Sequence, residues 1–523
     1  MLYDLKWLAP GKLFPPDCER ERIGRYKQNI KIFDNEHWTL ENDIYLEASK
    51  RIQRIIGNFD SYISFPVLYN YQRLIALKTA DLVAGEFPTI TYSSDKGNAT
   101  IQEIRYDTDF ENNLYATVLD LSRFGDAIWR KYKVEGENRN TYCNWMPTEW
   151  FPIVSQDGTF TEKAHVLAWP VCVDPEKMKY ELHAQVHEKG FYTKYRFAFT
   201  LQYFEPDASR PYPYNTSGSM GIIGKMLEKP ERVNTGFKDN AVMHLRPYKV
   251  NGTVYGKDDF MVIDSLVVEL MTRMAQISNI LDKHADPSIT GPVSMLSKDE
   301  KGELYFKKGK FYAYTPGEIP PQYLTWDGQL DSAFKQCEEI INQLYILSEM
   351  GAALLGANDG GSQAVSGNAL RLKMVNPLAK VRRISNNLTK PVTILFADIS
   401  ERGYDEVLDR KNISVVWKDG LPNDPREQAE LIKLLTGESK IMPLVKALEQ
   451  HLNLSHEEAL KWVEMLQKIT EPDTSEETEE PEEGEDTEAK GPGSKTGVNP
   501  MKKGSNMTPH KTGSNNSEEG NRS

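Results

Sequence analysis

The run Gly351–Gly361, GAALLGANDGG, has the glycine content of a phosphate cradle. A cradle of that kind ends in Gly-Lys-Ser/Thr, which supplies the charge and a magnesium ligand, and this run does not. It reads instead as a flexible connector or a moving loop. His183 and His187 are four residues apart, the spacing of a helical two-histidine metal site. Their segment, YELHAQVH, alternates like a strand, where that spacing builds no such pair, so both read as structural. His451 and His456 flank a turn and read as surface residues. Many carboxylates are present, but no pair stands out as a general acid and base, and no GxSxG, HExxH or kinase-like set occurs. We therefore assign no catalytic residue, no metal and no cofactor, and expect no enzyme. The one concentrated positive region of the folded part is Arg371, Lys373, Lys380, Arg382, Arg383 and Lys390. It serves either as a solvated helix face balancing acidic neighbours or as a local collar for a polyanion.

The whole chain is acidic. Its 523 residues carry a formal charge of −13, so its average field repels nucleic acid, and any DNA contact is local or sliding. The apolar share, 39 %, is ample for cores, and the length allows two to four domains. The four cysteines, Cys18, Cys143, Cys172 and Cys337, form no CxxC pair, which argues against a disulfide frame or zinc site and fits synthesis in a reducing cytoplasm. No signal-peptide core opens the sequence, and no window offers the ~20 apolar residues of a membrane span.

The elements that must position these residues follow from periodicity. Helical spacing covers TLENDIYLEASKRIQRIIGNF, VLYNYQRLIALKTADLVAGEF and Asn112–Phe124; the second stops at Gly85 and runs into a β stretch after Pro88. From Ala127 to Phe204 aromatic and β-branched runs predict strands. Residues 206–240, rich in Pro, Gly, Ser and Asn, read as an exposed loop. Two long helices come next. The first carries Ile263, Val267, Leu270, Met274, Ile277 and Leu281; the second carries Leu330, Phe334, Cys337, Ile341 and Leu344. Spacings of 4 and 3 in alternation mark a narrow seam between near-parallel helices. A lone hairpin would bury only part of such a seam, so it is expected to close against neighbouring copies. Residues 286–326 between them form a compact insert with β-like pieces. Ser366 reads as the N-cap of a helix carrying Leu370, Leu372, Met374, Leu378 and Val381, kinked at Pro377. A strand, ISVVWKDG, precedes two capped helices that start at Asp424 and Ser455. From Glu471 on, the composition cannot support a core, and the tail reads as disordered.

Three stretches, in this order, carry a resemblance. LKTADLVAGEFPTI, SGNALRLKMVNPLAKVRR and VVWKDGLPNDPREQAE resemble segments of the portal proteins of tailed bacteriophages, of the long non-contractile-tailed type. The second is the most specific; it looks like that family's motif opening the long helix after the tunnel loop. The resemblance covers roughly residues 40–470 and leaves 206–240 and the acidic tail outside its pattern.

It implies an α+β portal fold. The parts would be an α/β wing (1–256), stem helix 1 (257–285), a small α/β clip (286–326), stem helix 2 (327–349) and a tunnel loop (350–366). A kinked helix with the wing return (367–423), a helical crown (424–470) and the tail (471–523) would complete it. Gly351, Leu354, Leu355, Gly356, Asn358, Asp359, Gly360 and Gly361 would form the tunnel loop, with Arg371, Lys373, Lys380, Arg382 and Arg383 as DNA-proximal basic residues. The implied role is a homo-oligomeric ring, of about twelve subunits, at one capsid vertex of the virion, made in the host bacterial cytoplasm. Double-stranded DNA would pass through its channel during packaging and ejection. Implied partners are the terminase large subunit, a head–tail connector or adaptor, and the major capsid and scaffolding proteins; a membrane is not among them.

Elementary geometry agrees with that copy number. Twelve helices ~10 Å across enclose a bore of ~28 Å, against ~15 Å for eight, and DNA is roughly 20 Å wide. Two other readings stand beside this one: another phage structural or scaffold protein, and a carbohydrate-active enzyme, the latter from the Trp- and Tyr-rich β region.

Overall fold

Asn70 and Ser94 each start a helix by the same device. The Asn70 side-chain oxygen accepts the Arg73 N–H at 2.9 Å, and the Ser94 hydroxyl accepts the Gly97 N–H at 3.0 Å. Each satisfies a donor that the first helical turn leaves open. The computed structural model describes residues 1–36, 43–56, 69–203, 219–285, 289–290, 296–298, 304–306, 317, 322–323, 330–355, 373–418, 425–437, 441–452, 454 and 456–470. The described part divides into two compact units, within 1–430 and 431–523.

The first unit opens with β1 (Leu13–Phe14) and helices α1 (Arg20–Phe33), α2 (Asp43–Ile56) and α3 (Tyr71–Ala84), then β2 (Thr89–Tyr92), α4 (Asp95–Asp107) and α5 (Phe110–Phe124). Strands β3 (Ala127–Lys133), β4 (Asn140–Trp145), β5 (Trp150–Val154), β6 (Glu162–Asp174), β7 (Lys179–Glu188), β8 (Phe191–Tyr203), β9 (Met220–Met226), β10 (Glu231–Asn234) and β11 (Val242–Leu245) follow. A seven-stranded sheet runs β1-β9-β8-β7-β6-β5, with β10 also on β8; a three-stranded sheet runs β11-β3-β4. Strand alternation gives the larger sheet two apolar faces. Phe151, Val166, Ala168, Leu182, Ala184 and Phe197 pack one face against Leu2, Trp7, Leu8 and Phe14. On the other face Trp150 and Leu167 meet Ile128 and Val242 of the smaller sheet.

The 206–240 expectation needs correcting. Its described part holds β9 and β10, antiparallel to β8. Gly221 and Gly224 lie in β9 at places of close approach: a Cβ on Gly221 would lie 2.3 Å from the Thr200 carbonyl oxygen.

Next comes α6 (Asp264–Ala285), then short strands β12 (Ile289–Thr290), β13 (Leu296–Lys298), β14 (Leu304–Phe306) and β15 (Gln322–Tyr323), and α7 (Leu330–Leu347). β12 pairs with β15 and β13 with β14, so the insert is closed by its own strands. A 26-residue helix, α8 (Val375–Ser400), and β16 (Ile413–Val416) bring the chain back to the body, where β16 pairs with β2.

The kink expected at Pro377 falls where the helix is interrupted: Lys373 is helical, Met374 is a turn residue and α8 starts at Val375, and the stretch before Lys373 lies outside the described residues. Pro377 is the third residue of α8, in the first turn, where a backbone N–H has no intrahelical partner to lose. The proline in the helix interior is Pro391. Ser366, read as the N-cap, lies outside the described residues, and Met374 occupies the cap position.

The seam residues are placed as follows. Ile263, Val267, Leu270 and Ile277 are buried, as are Cys337 and Leu344; Met274 and Ile341 are half-buried and pack on the same core. Helix α2 packs along α6 as α7 does. The heptad stripe of α6 is thus used inside one chain, and those side chains are not left for a neighbour. Leu281 and Phe334 stay exposed and Leu330 is half-buried. Residues 257–263, expected in the first stem helix, precede it as turn.

The second unit contributes the end of α9 (Pro425–Thr436), α10 (Leu444–His451) and α11 (His456–Thr470). Pro425 opens α9 as its first residue, the position expected of it. The caps Asp424 and Ser455 and the tail from Glu471 lie outside the described residues.

Candidate nucleic-acid interface

Helix α7 ends in a Schellman turn. The Met350 N–H reaches the Tyr345 carbonyl at 3.1 Å and the Glu349 N–H reaches the Ile346 carbonyl at 3.1 Å. The turn needs a left-handed residue, normally glycine, and here Glu349 takes it with φ 58°. This geometry carries the chain past Gly351 into a single 3₁₀ turn, Ala352–Leu355. Gly351 lies against α8: a Cβ there would come within 3.3 Å of the Lys373 carbonyl oxygen. Leu354 is partly buried on the main core. Gly356, Asn358, Asp359, Gly360 and Gly361 lie outside the described residues, as does the side chain of Leu355.

The basic residues beyond the loop do not form one set. Lys380 is buried; its ammonium sits 2.8 Å from Asp259 Oδ2 and donates to the Ser348 carbonyl at 3.4 Å. The Ser122 hydroxyl donates to the same Asp259 oxygen at 2.5 Å. Arg383 ion-pairs with Glu349, and its guanidinium lies 5.9 Å from the Tyr248 ring centre. Lys373 and Arg382 are exposed, and among the described residues Arg382 has no carboxylate partner. Arg371 lies outside the described residues. A cavity of about 390 Å³ opens beside these pairs, lined by Tyr248, Asp259, Val262, Glu349, Lys380 and Arg383. Its wall is electrically mixed. Of the proposed collar, Lys380 and Arg383 already neutralise carboxylates of their own chain, and Lys373, Arg382 and Lys390 are members whose exposure lets them face a polyanion.

His183 and His187 both lie on β7. His183 contacts Glu181 at 3.3 Å, while His187 faces Gln185 at 3.2 Å and stacks on Tyr192. Burial pushes His187 down to about 3. Among the described residues no cluster of His, Cys, Asp and Glu is arranged to hold a metal ion.

One charged cluster gave no sequence signal. His244 is enclosed between Glu162, 2.7 Å from Nδ1, and Asp126, 2.6 Å from Nε2. Burial opposes its charge, but the two carboxylates outweigh it and raise its pKa to about 9. Burial likewise opposes ionisation of Glu162, and His244 more than compensates, holding it at about 2. Tyr26 donates to Asp126, and the Gly256 N–H reaches it at 2.8 Å. Gly125 and Gly256 meet so closely that a Cβ on Gly256 would lie 1.8 Å from the Gly125 carbonyl oxygen. His244 and Asp126 side chains have no solvent exposure, so the cluster ties α1, β6 and β11 together rather than meeting a ligand.

Among the described residues no helix is long and apolar enough to cross a membrane. No family model and no curated protein matches the chain. Solved structures do. A chain from the neck of a native GTA particle computed with C12 symmetry aligns over 85 % of this chain and 96 % of its own, with 8 % identity and a TM-score of 0.44. A chain from the virion of a native gene transfer agent (GTA) particle aligns over 78 % and 94 %, with 10 % identity and a TM-score of 0.42. A third, from the neck of an empty GTA particle computed with C6 symmetry, covers 84 % and 95 % at 10 % identity, with a TM-score of 0.45. Values this low do not establish a common fold.

Proposed function

We propose that this chain is a portal-type subunit: copies form a ring at one capsid vertex, and double-stranded DNA passes through the ring's channel. The observation that carries the reading is the order of parts. An α/β body leads into α6, a strand-closed insert, α7, a glycine-rich stretch, and a helix with basic residues at its start. The chain then returns through β16 to β2 of the body. The three stretches that resemble segments of the portal family lie in that order along the chain: at the end of α3 into β2, at the start of α8, and from β16 towards α9.

The charge pattern suits a wall along which DNA slides. Asp331, Glu338 and Glu339 are exposed on α7, with Lys335 as the only basic residue of that helix. An acidic face repels phosphate and does not trap it. The proposed partners are the terminase motor, later replaced by a connector protein, and the capsid and scaffolding proteins; the role is not enzymatic. Electron microscopy of the purified full-length chain tests this. Closed rings with a channel wide enough for a duplex are expected, and a chain that stays monomeric at micromolar concentration overturns the reading.

A further inference from the structure

A ring needs contacts, and the heptad stripe of α6 is already buried within its own chain. The surface of the second unit offers a replacement. Among its described residues the buried apolar side chains are Ala447, Leu448 and Ala459, a very small core. Several of its large apolar side chains are exposed. Trp462, Met465 and Leu466 are 46 %, 53 % and 44 % exposed, and their i, i+3, i+4 spacing puts them on one face of α11. Leu434 on α9 and Ile441 after it are 68 % and 66 % exposed.

We propose that these two patches meet between copies: the Trp462 face of α11 in one copy packs on Leu434 and Ile441 of the next. This rests on the ring reading and locates one of its junctions. Three features favour a second copy as the occupant. A closed ring is built from head-to-tail contacts, so each subunit must carry two different patches, whereas a two-fold dimer needs a single self-complementary one. This unit carries two, one on α11 and one at the end of α9 and just beyond it. Each patch is also flanked by exposed charges of both signs, Glu430 and Lys433 beside Leu434 and Lys461 and Glu464 beside Trp462 and Met465, so each can offer opposite charges to the other at the rim. The area is of the right size. At ~200 Å² per large side chain the five leave on the order of 500 Å² open. A standard interface buries ~1,600 Å², a little over half of it apolar, so they supply about half the apolar part of one junction.

The test uses the full chain at micromolar concentration, with native mass spectrometry and electron microscopy. Trp462→Glu is expected to abolish rings while leaving a folded monomer by circular dichroism. A second variant does not depend on disrupting the patch. A chain carrying both Leu434→Cys and Met465→Cys, oxidised, is expected to give a covalent ladder of multimers on denaturing gels, absent from the chains carrying only one of the two substitutions and from the wild type, whose own four cysteines, Cys18 exposed among them, are present in all. Wild-type rings with no ladder, or unchanged rings from Trp462→Glu, overturn this junction and leave the ring reading standing. A wild-type chain that forms no rings overturns both.

Discussion

Glu349 occupies the left-handed position that ends α7, and its carboxylate holds Arg383, 34 residues further on. A turn that ordinarily takes glycine has been given a charge instead. The left-handed backbone costs roughly 1–2 kcal/mol for a residue with a Cβ. Both partners are about two-fifths exposed, so the pair returns only ~0–1 kcal/mol. Glu349→Gly should therefore leave stability unchanged or raise it by about 1 kcal/mol, whereas Glu349→Gln keeps the strain, loses the pair and should lower it slightly. Chemical denaturation of both variants and of Arg383→Ala in a double-mutant cycle measures the two effects separately. A destabilised Glu349→Gly variant would show that the pair outweighs the backbone.

Lys380 behaves as a core residue rather than a DNA contact. Removing its ammonium strands Asp259, which is about three-quarters buried, and leaves the Ser348 carbonyl without this donor. Breaking a buried pair costs ~3–5 kcal/mol; with the partial exposure of Asp259, Lys380→Met should cost ~2–4 kcal/mol. Thermal unfolding checks the loss. An unaltered melting temperature would mean that the pair is not formed.

The His244 cluster sets a pH profile. The folded value of about 9 stands above the ordinary 6.5, so its stabilisation is complete below 6.5 and disappears as the pH rises through 9. Glu162, at about 2 against 4.5, stabilises above 4.5 and ceases to as the pH falls through 2. His165 and His187, held at about 4 and about 3 by burial, favour the fold above 6.5 and lose that contribution as the pH falls to those values. Stability should peak near neutrality. Melting temperatures from pH 4 to 10 should decline on both sides, and His244→Gln should be less stable at pH 7 yet lose the decline between pH 7 and 9. A variant that keeps that alkaline decline would place its origin elsewhere.

Local signals were readable wherever one residue decides one turn. Gly85 ends α3, Phe124 ends α5 where expected, and the strand-like alternation after Ala127 became β3 to β8. Periodicity also found α6 and α7, but a heptad describes the width of a buried stripe and not what buries it; α2, more than 200 residues earlier, covers the stripe of α6. Helices α1, α4 and α10 were missed, α4 despite its serine cap. Strands β9 and β10 were hidden because glycine marks close backbone approach, as at Gly221 and Gly224, as well as loops. Asp126, Glu162 and His244 are 118 and 82 residues apart in their two pairings, so no local spacing could reveal them. The same limit applied to the basic set. Composition counts charges along a helix, and only the tertiary structure shows that Lys380 and Arg383 face carboxylates from other segments.

That division gives the sharpest test of the interface. If the proposed ring associates with DNA, the exposed Lys373, Arg382 and Lys390 are expected to contribute more than Lys380 and Arg383, which face carboxylates of their own chain. Each phosphate that the protein ceases to neutralise lowers the slope of log affinity against log salt by ~0.9. Lys373→Gln with Arg382→Gln should therefore weaken association of full-length rings with double-stranded DNA at low salt and flatten its salt dependence. Arg383→Gln, measured alongside, should cost no more than ~1 kcal/mol of stability and leave the salt slope unchanged. Fluorescence anisotropy with labelled duplex, from about 50 to about 200 mM salt, the range over which such slopes are steep, reads both. A flattened slope in Arg383→Gln, with the wild-type slope retained when Lys373 and Arg382 are neutralised, would invert the assignment and place the DNA against the paired residues.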